Sequence, residues 1–378
     1  MKIIINLSNL YVGGGVQVAI SFLNELKSLK QKNIYHVFLS KPIKSQLIKK
    51  SFSNNFNFYN IEHSPASLKK RFSTIKRLSN LENIINPDII FTLFGPSYWR
   101  PQNKNLMGFA DPWVLNKKST AYQELNIFNK IKTKLRNFYK IYHLKKEANY
   151  FIIETKDGKD KLSNLIRTPD KKIFVVSNSY SDIFSNKDFL SKKNKFYIKL
   201  PNKEKKEFRL MLISHNYPHK NLRIIRKVIP LLKSFKIKFI ITIDNKEYKN
   251  MFSGLNKDVI NLGPIKLNSC PSIYSQCDAL FLPSLLEVFS ASYLEAMKMK
   301  VPILTSNYSF AKDVCGNAAL YFDPLNPEDI ADKIIKLVNN EKLRIHLIEK
   351  GQLRLNRFET SRSRAEKYIK ILDKLSKI

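Results

Sequence analysis

The stretch from Leu280 to Val301, LFLPSLLEVFSASYLEAMKMKV, limits the fold more than any other. Ala279-Leu280-Phe281-Leu282 is a short apolar run with no polar alternation, as in a strand buried on both faces of a parallel sheet. Pro283 stops it. A loop carrying Glu287 follows, and a helix is expected from near Ser290, with Glu295 inside it. The two carboxylates stand eight positions apart. Ser290 or Ser292 can cap the helix with a side-chain oxygen. The free N–H groups and dipole of such a helix start suit a phosphate. Strand, loop and helix thus offer an anion cradle beside two carboxylates that accept hydrogen bonds from hydroxyls. That combination fits a nucleotide sugar. The spacing alone equally fits two solvated or capping carboxylates.

A chain of 378 residues with 43% hydrophobic residues has room for two cored domains. It is strongly basic, with 66 Lys and Arg against 31 Asp and Glu. The first 200 residues carry 35 basic and 13 acidic side chains, and the rest carry 31 and 18. Such a field favours anionic partners: nucleic acid, anionic lipid or phosphorylated substrates. Part of it is compositional, since Lys, Asn and Ile are abundant throughout. Cys270, Cys277 and Cys315 show no metal-binding spacing and read as reduced thiols of a cytoplasmic protein. No apolar run reaches spanning length, and Ile3-Ile4-Ile5 is too short for a signal peptide core.

Lys2 to Leu7 reads as a first buried strand. Gly13-Gly14-Gly15 and a helical pattern through Val16, Ala19, Leu23 and Leu26 follow it. This is the opening of a βαβ unit, with glycines that let a ligand approach the backbone. It lacks the third glycine of a dinucleotide fingerprint and the Gly-Lys-Ser/Thr of a P-loop. A plain tight turn fits the same residues. Further strands are expected at 36–39, 56–61, 88–92, 106–110, 150–154 and 172–177, and a basic helix over 67–85. Asp111, ahead of Pro112, can accept a hydrogen bond from a substrate hydroxyl or simply form a turn. Residues 127–147 interleave Lys and Arg with Ile, Leu, Phe and Tyr. They fit a helix on an anionic membrane surface, or an ordinary domain helix with a solvated face. Residues 182–207 are polar and Lys/Asn-rich and read as a linker. In the second half, strands are expected at 208–214, 237–243, 259–262, 303–305 and 319–323. Closing helices are expected from Glu341 to Ile378. Strand-helix alternation in both halves means two doubly wound α/β domains.

The pattern Pro283-Ser284, Glu287, Phe289, Glu295-Ala296-Met297, then Val301-Pro302-Ile303-Leu304-Thr305, resembles the Glu-x7-Glu signature of family 4 glycosyltransferases of the bacterial surface-polysaccharide type. The resemblance runs from about Phe208 to Phe358, through Lys220-Asn221, Leu262-Gly263, Tyr274 and Ala318 to Pro324. It implies an α/β GT-B fold, two Rossmann-like domains facing across a cleft. The domains would be 1–181 on the acceptor side and 208–360 on the donor side, with 361–378 crossing back. It also implies that Glu295 bonds the ribose hydroxyls and Glu287 the sugar hydroxyls. Lys220 and the amides near Phe289 and Ser290 would hold the diphosphate, and Gly14 and Gly15 would lie near donor and acceptor. Two positions depart from the family. Ser214-His215 stands where Gly-Arg is usual, so His215 supplies the second cation or none does. Ala110-Asp111-Pro112 stands where many members have a His, with Asp111 as a potential helper.

The implied reaction is transfer from a nucleoside-diphosphate sugar to a glycan, lipid-linked, with retention. It would serve O-antigen, capsule or lipopolysaccharide assembly, in the cytoplasm or on the inner face of the plasma membrane. No Asp-x-Asp occurs, so no metal or cofactor is expected, and no motif supports nucleic-acid binding. Three alternatives stay open: a silent glycan-binding subunit, a sugar-nucleotide epimerase of the same fold, and a basic nucleic-acid-binding protein.

Overall fold

The computed structural model describes every residue except Val12 and Lys30. The chain forms two compact units. Unit 1 holds Met1–Lys117, Asn129–Asn178 and Glu359–Ile378, and unit 2 holds Lys118–Phe128 and Ser179–Phe358.

Unit 1 is built on strands β1 Lys2–Leu7, β2 Ile34–Leu39, β3 Phe56–Asn60, β4 Ile89–Thr92, β5 Asn105–Gly108, β6 Tyr150–Ile153 and β7 Ile173–Val175. Their order is β3-β2-β1-β4-β5-β6-β7, and every pairing is parallel. Alternate residues of β1 serve the two faces. Ile3, Ile5 and Leu7 pack with Phe22 and Leu26 of the helix Gly14–Ser28 and with Ile369 and Leu372 of the last helix, Ser361–Ser376. Ile4 packs on the other face with Leu78, Ile85 and Trp99. A strand buried on both sides must be apolar throughout, which is why the run Ile3-Ile4-Ile5 reads so plainly. The last helix is fixed by a Thr360–Ser363 capping box and by Tyr368, whose ring meets Phe22 at 5.4 Å and Phe91 at 5.1 Å edge-on.

Unit 2 has strands β8 Phe208–Leu212, β9 Ile237–Ile241, β10 Val259–Asn261, β11 Ala279–Leu282, β12 Ile303–Ser306 and β13 Ala319–Phe322. Their order is β10-β9-β8-β11-β12-β13, again all parallel. The closing segment from Glu341 is two helices, Glu341–Leu355 and Ser361–Ser376, and the first belongs to unit 2.

Two stretches depart from expectation. Residues 182–207 are not a free linker. Phe184 and Leu200 are buried in the unit 2 core, and the backbone is pinned by Ile198 N–H to Ser272 Oγ (3.1 Å) and Leu200 N–H to Gln276 Oε1 (3.0 Å). Scattered apolar anchors, Phe184 and Leu200 with Ile183 and Ile198 beside them, leave no periodicity to detect in a Lys/Asn-rich run. Residues 118–128, read as part of the first domain, belong to unit 2. Ala121 and Tyr122 are buried, Ser119 Oγ donates to the Leu285 carbonyl (3.2 Å), and the Thr120 and Tyr308 hydroxyls pair at 3.0 Å.

Candidate functional site

In a doubly wound sheet, ligands bind beyond the C-terminal strand ends where the strand order reverses. In unit 2 that point lies between β8 and β11, so the loops after Leu212 and after Leu282 form the expected cradle. Most residues singled out in the sequence sit on these loops or on the helix that follows β11.

The two loops are tied together. The Leu285 N–H donates to the His219 carbonyl at 2.7 Å, and Lys220 Nζ meets Glu287 Oε1 at 2.5 Å. Lys220 ends the short turn Pro218–Lys220, and Asn221 then takes a left-handed conformation (φ 55°) with its Nδ2 donating to the Pro324 carbonyl at 2.8 Å. Asn tolerates that backbone better than most residues, so Pro218 and Asn221 between them aim the lysine. The Glu287 side chain is 10% exposed and that of Lys220 is 17%. His215 is exposed on the same loop, with its ring 5.7 Å from Tyr217, which in turn stacks on His219 at 5.6 Å.

The helix Ala291–Lys298 starts at Ser290, which is extended (φ −109°) and buried. Neither Ser290 nor Ser292 caps it, because no side chain bonds its first turn. A short helix start without a side-chain acceptor keeps its N–H groups for another partner. Phe289 packs edge-on against Phe358 at 6.0 Å, which steadies the approach to the helix. Beneath it, the fully buried Tyr293 hydroxyl meets Thr305 Oγ1 at 2.8 Å, and that hydroxyl donates to the Leu282 carbonyl at 3.0 Å. Glu295 Oε2 accepts from the Tyr274 hydroxyl at 2.9 Å. Its surroundings raise the carboxyl pKa to about 7, burial being the larger cause and the Tyr274 bond a partial offset. The residue still keeps a partial opening to solvent. Ser284, at the head of the loop, has a buried hydroxyl with no hydrogen-bond partner.

The remaining candidates lie in unit 1. Gly13 has φ 75° and needs to be glycine, whereas a Cβ on Gly14 would meet nothing within 4 Å and one on Gly15 only Leu10 and Phe94 at 3.6 Å. The start of the helix Gly14–Ser28 has no side-chain cap. Asn9 clips this loop to the one after β4, donating to the carbonyls of Phe94 (2.7 Å) and Pro96 (2.9 Å). Asp111 takes the turn-forming role. Its Oδ1 accepts from the N–H groups of Trp113 (3.0 Å) and Val114 (3.4 Å), and its Oδ2 pairs with Lys140.

Sequence reasoning missed two supports of this site. Tyr274 holds Glu295 from 21 positions away, and Asn9 links two loops whose residues are 85 and 87 positions apart. A buried Tyr ahead of the Glu-bearing helix was a usable sign for the first, but nothing local marked Asn9. Among the described residues, no group of three His, Cys, Asp or Glu side chains is gathered as a metal site.

Two parallel doubly wound sheets with the site at the second sheet's reversal point define the GT-B class of fold. The crystal structure of Anabaena Alr3699/HepE in complex with UDP and glucose superimposes with a TM-score of 0.71 over 99% of this chain and 100% of that one, at 12% identity. Residues 193–354 match the family model of glycosyl transferases group 1. Among curated relatives, the O-antigen chain mannosyltransferase RfbU of Salmonella typhimurium is 27% identical over 177 residues, 45% of each chain. The N,N'-diacetylbacillosaminyl-diphospho-undecaprenol alpha-1,3-N-acetylgalactosaminyltransferase of Campylobacter jejuni is 26% identical over 243 residues, 61% of this chain and 62% of the relative. The matched stretch thus spans less than two thirds of either relative.

Proposed function

We propose that this protein transfers a glycosyl group from a nucleoside-diphosphate sugar to a lipid-linked glycan, with retention and without a metal ion, in assembly of O-antigen or a related surface polysaccharide. The observation that carries this is the convergence of Lys220, Glu287, the uncapped helix start at Ser290 and Glu295 on one sheet reversal point, inside a group 1 domain. Glu295, held by Tyr274, takes the ribose hydroxyls. Glu287 takes hydroxyls of the donor sugar, and its ion pair with Lys220 holds the lysine in place until the diphosphate arrives. Lys220 and the amides near Phe289 and Ser290 then stabilise the charge that grows on the leaving nucleoside diphosphate, as preorganised donors do. His215 adds an exposed imidazole to that side. Gly14 leaves open space for substrate, Gly15 lets the backbone beside it come close to the donor, and Asp111, beyond its capping role, receives an acceptor hydroxyl. Attack on the same face as departure, within an ion pair, accounts for retention.

The bound UDP and glucose of the HepE structure and the undecaprenol-linked acceptor in the name of the Campylobacter relative support this assignment of donor and acceptor class. No described helix is long and apolar enough to cross a membrane, so a lipid-linked acceptor would be met at the bilayer surface. The test is transfer from a radiolabelled donor to a lipid-linked acceptor with EDTA present, followed by assignment of the anomeric configuration of the product. Retained configuration with chelator present supports the reading. An inverted product, or a strict metal requirement, overturns the mechanism.

A further inference from the structure

The helix Ile127–Glu147 is turned inside out. Its inward face carries Thr133, Asn137, His143 and Glu147, all buried, with Leu144 as the lone aliphatic among them. Ile131, Leu135, Phe138 and Tyr142 recur at i, i+4, i+7 and i+11 and so form one stripe. That stripe faces outward, each residue between 54% and 75% exposed.

The inward polar face is hydrogen-bonded to the rest of unit 1 and is not an accident of register. Asn137 Nδ2 donates to the Trp113 carbonyl at 2.8 Å, and His143 Nδ1 donates to Glu147 Oε1 at 2.6 Å. Glu147 Oε2 accepts from Ser97 N–H (2.8 Å), Ser97 Oγ (3.0 Å) and Tyr98 N–H (3.1 Å). Rolling the helix to bury its stripe would strip a buried carboxylate of these donors, which costs far more than exposing apolar surface.

A second segment, also with exposed apolar side chains, meets this helix through Arg71. Leu68 is 91% and Phe72 86% exposed. Between them, Arg71 joins the helix. Its guanidinium donates to the Tyr139 hydroxyl, lies 5.5 Å from that ring's centroid, and donates to His143 Nε2 at 3.1 Å. Neither acceptor is a carboxylate, so neither brings a negative charge to the guanidinium. The arginine is therefore fixed in place while these partners leave its charge uncancelled. Lys69 and Lys70, next to it in the chain, and Lys132, Lys134 and Arg136 of the helix are exposed.

We propose that this composite surface of unit 1 seats the protein on an anionic lipid bilayer. The stripe with Leu68 and Phe72 enters the boundary between headgroups and acyl chains, and Arg71 with the flanking lysines meets lipid phosphates. A second copy of the chain would bring the same cations against these in a protein of net charge +35, so charge complementarity selects the bilayer. This deepens the lipid-linked acceptor reading. Its test uses no sugar nucleotide, so nucleotide binding can fail or hold independently.

The test is cosedimentation of the full chain with vesicles of phosphatidylcholine alone and of phosphatidylcholine mixed with phosphatidylglycerol. The wild type should pellet with the mixed vesicles and remain in solution with phosphatidylcholine alone. Leu135→Ser/Phe138→Ser, two exposed sites, should keep the wild-type Tm and bind the mixed vesicles at least about tenfold more weakly, as loss of two large apolar anchors requires. Arg71→Gln should weaken binding as well. Failure of the wild type to bind, or equal binding by the double variant, overturns the proposal. So does a wild-type dimer that the double substitution converts to monomer with lipid binding unchanged, since the second copy would then be the occupant.

Discussion

Replacing Glu295 by Gln should raise stability and lower nucleotide affinity together. The wild-type carboxyl has its pKa raised from 4.5 to about 7, chiefly by burial. At 1.36 kcal/mol per unit this corresponds to about 3 kcal/mol. It is a ceiling, since the residue keeps a partial opening to water. The sign follows from proton counting. Between pH 4.5 and 7 the native state holds a proton that the unfolded chain has released, so wild-type stability falls as pH rises through that window. Gln carries no charge to bury, and its carbonyl can still accept from the Tyr274 hydroxyl. Glu295→Gln should therefore be more stable than wild type at pH 8 by up to about 3 kcal/mol, or several degrees in Tm, with the gap closing toward pH 5. Glu154 of unit 1, also raised to about 7 by burial, titrates in the same range. The difference between variant and wild type at each pH, measured by calorimetry, isolates Glu295. Hydroxyls bound by a carboxylate are held by charge-assisted hydrogen bonds of about 1.5–3 kcal/mol. Nucleoside diphosphate should accordingly bind the variant about 10- to 100-fold more weakly. A variant less stable at pH 8, an offset independent of pH, or unchanged nucleotide affinity would refute this account of Glu295.

Four further outcomes are expected. Lys220→Ala leaves Glu287 buried and unpaired and should cost about 2–4 kcal/mol of stability, whereas Lys220→Met/Glu287→Gln should recover most of it without restoring nucleotide binding; melting and binding curves on both variants check this. Gly14→Ala should hold or raise stability by up to about 1 kcal/mol, because its Cβ meets nothing, so a fall in kcat/KM there would report substrate passing close to the backbone. Gly13→Ala, at φ 75° and ψ −163°, should instead lose about 1–3 kcal/mol. Asp111→Asn keeps a good helix cap, so its stability should stay within about 1 kcal/mol of wild type, and a fall in kcat beyond tenfold would place Asp111 in transfer.

The sheets were legible because parallel strands buried on both faces are uninterrupted apolar runs. Lys2–Leu7 and Ala279–Leu282 stand where their residues indicate, and neighbouring strands differ by a residue or two at the ends. Pro283, Glu287 and Glu295 were visible as a group since one strand, loop and helix carries them all. What escaped depends on partners distant in sequence. The grip of Tyr274 on Glu295 and the pairing of Asp111 with Lys140 have no local signature. Residues 118–128 and 182–207 attach to unit 2 through single buried side chains and backbone bonds, which composition does not reveal. The helix 127–147 shows the deepest gap. Its apolar period was readable, but the period alone left a membrane-surface helix and an ordinary domain helix equally open, and only the Glu147 network shows that the polar face is inside.

The central claim is that unit 2 binds a nucleoside diphosphate through Lys220 and Glu295. The most direct test is a thermal-shift panel of UDP, GDP, ADP, CDP and dTDP, with EDTA present, on wild type, Lys220→Met/Glu287→Gln and Glu295→Gln. At about 100 times its Kd, a bound nucleotide adds roughly 2.7 kcal/mol. The account predicts that one base stabilises the wild type and that both variants lose most of that shift. Stabilisation of all three proteins alike, or of none by any nucleotide, would contradict it.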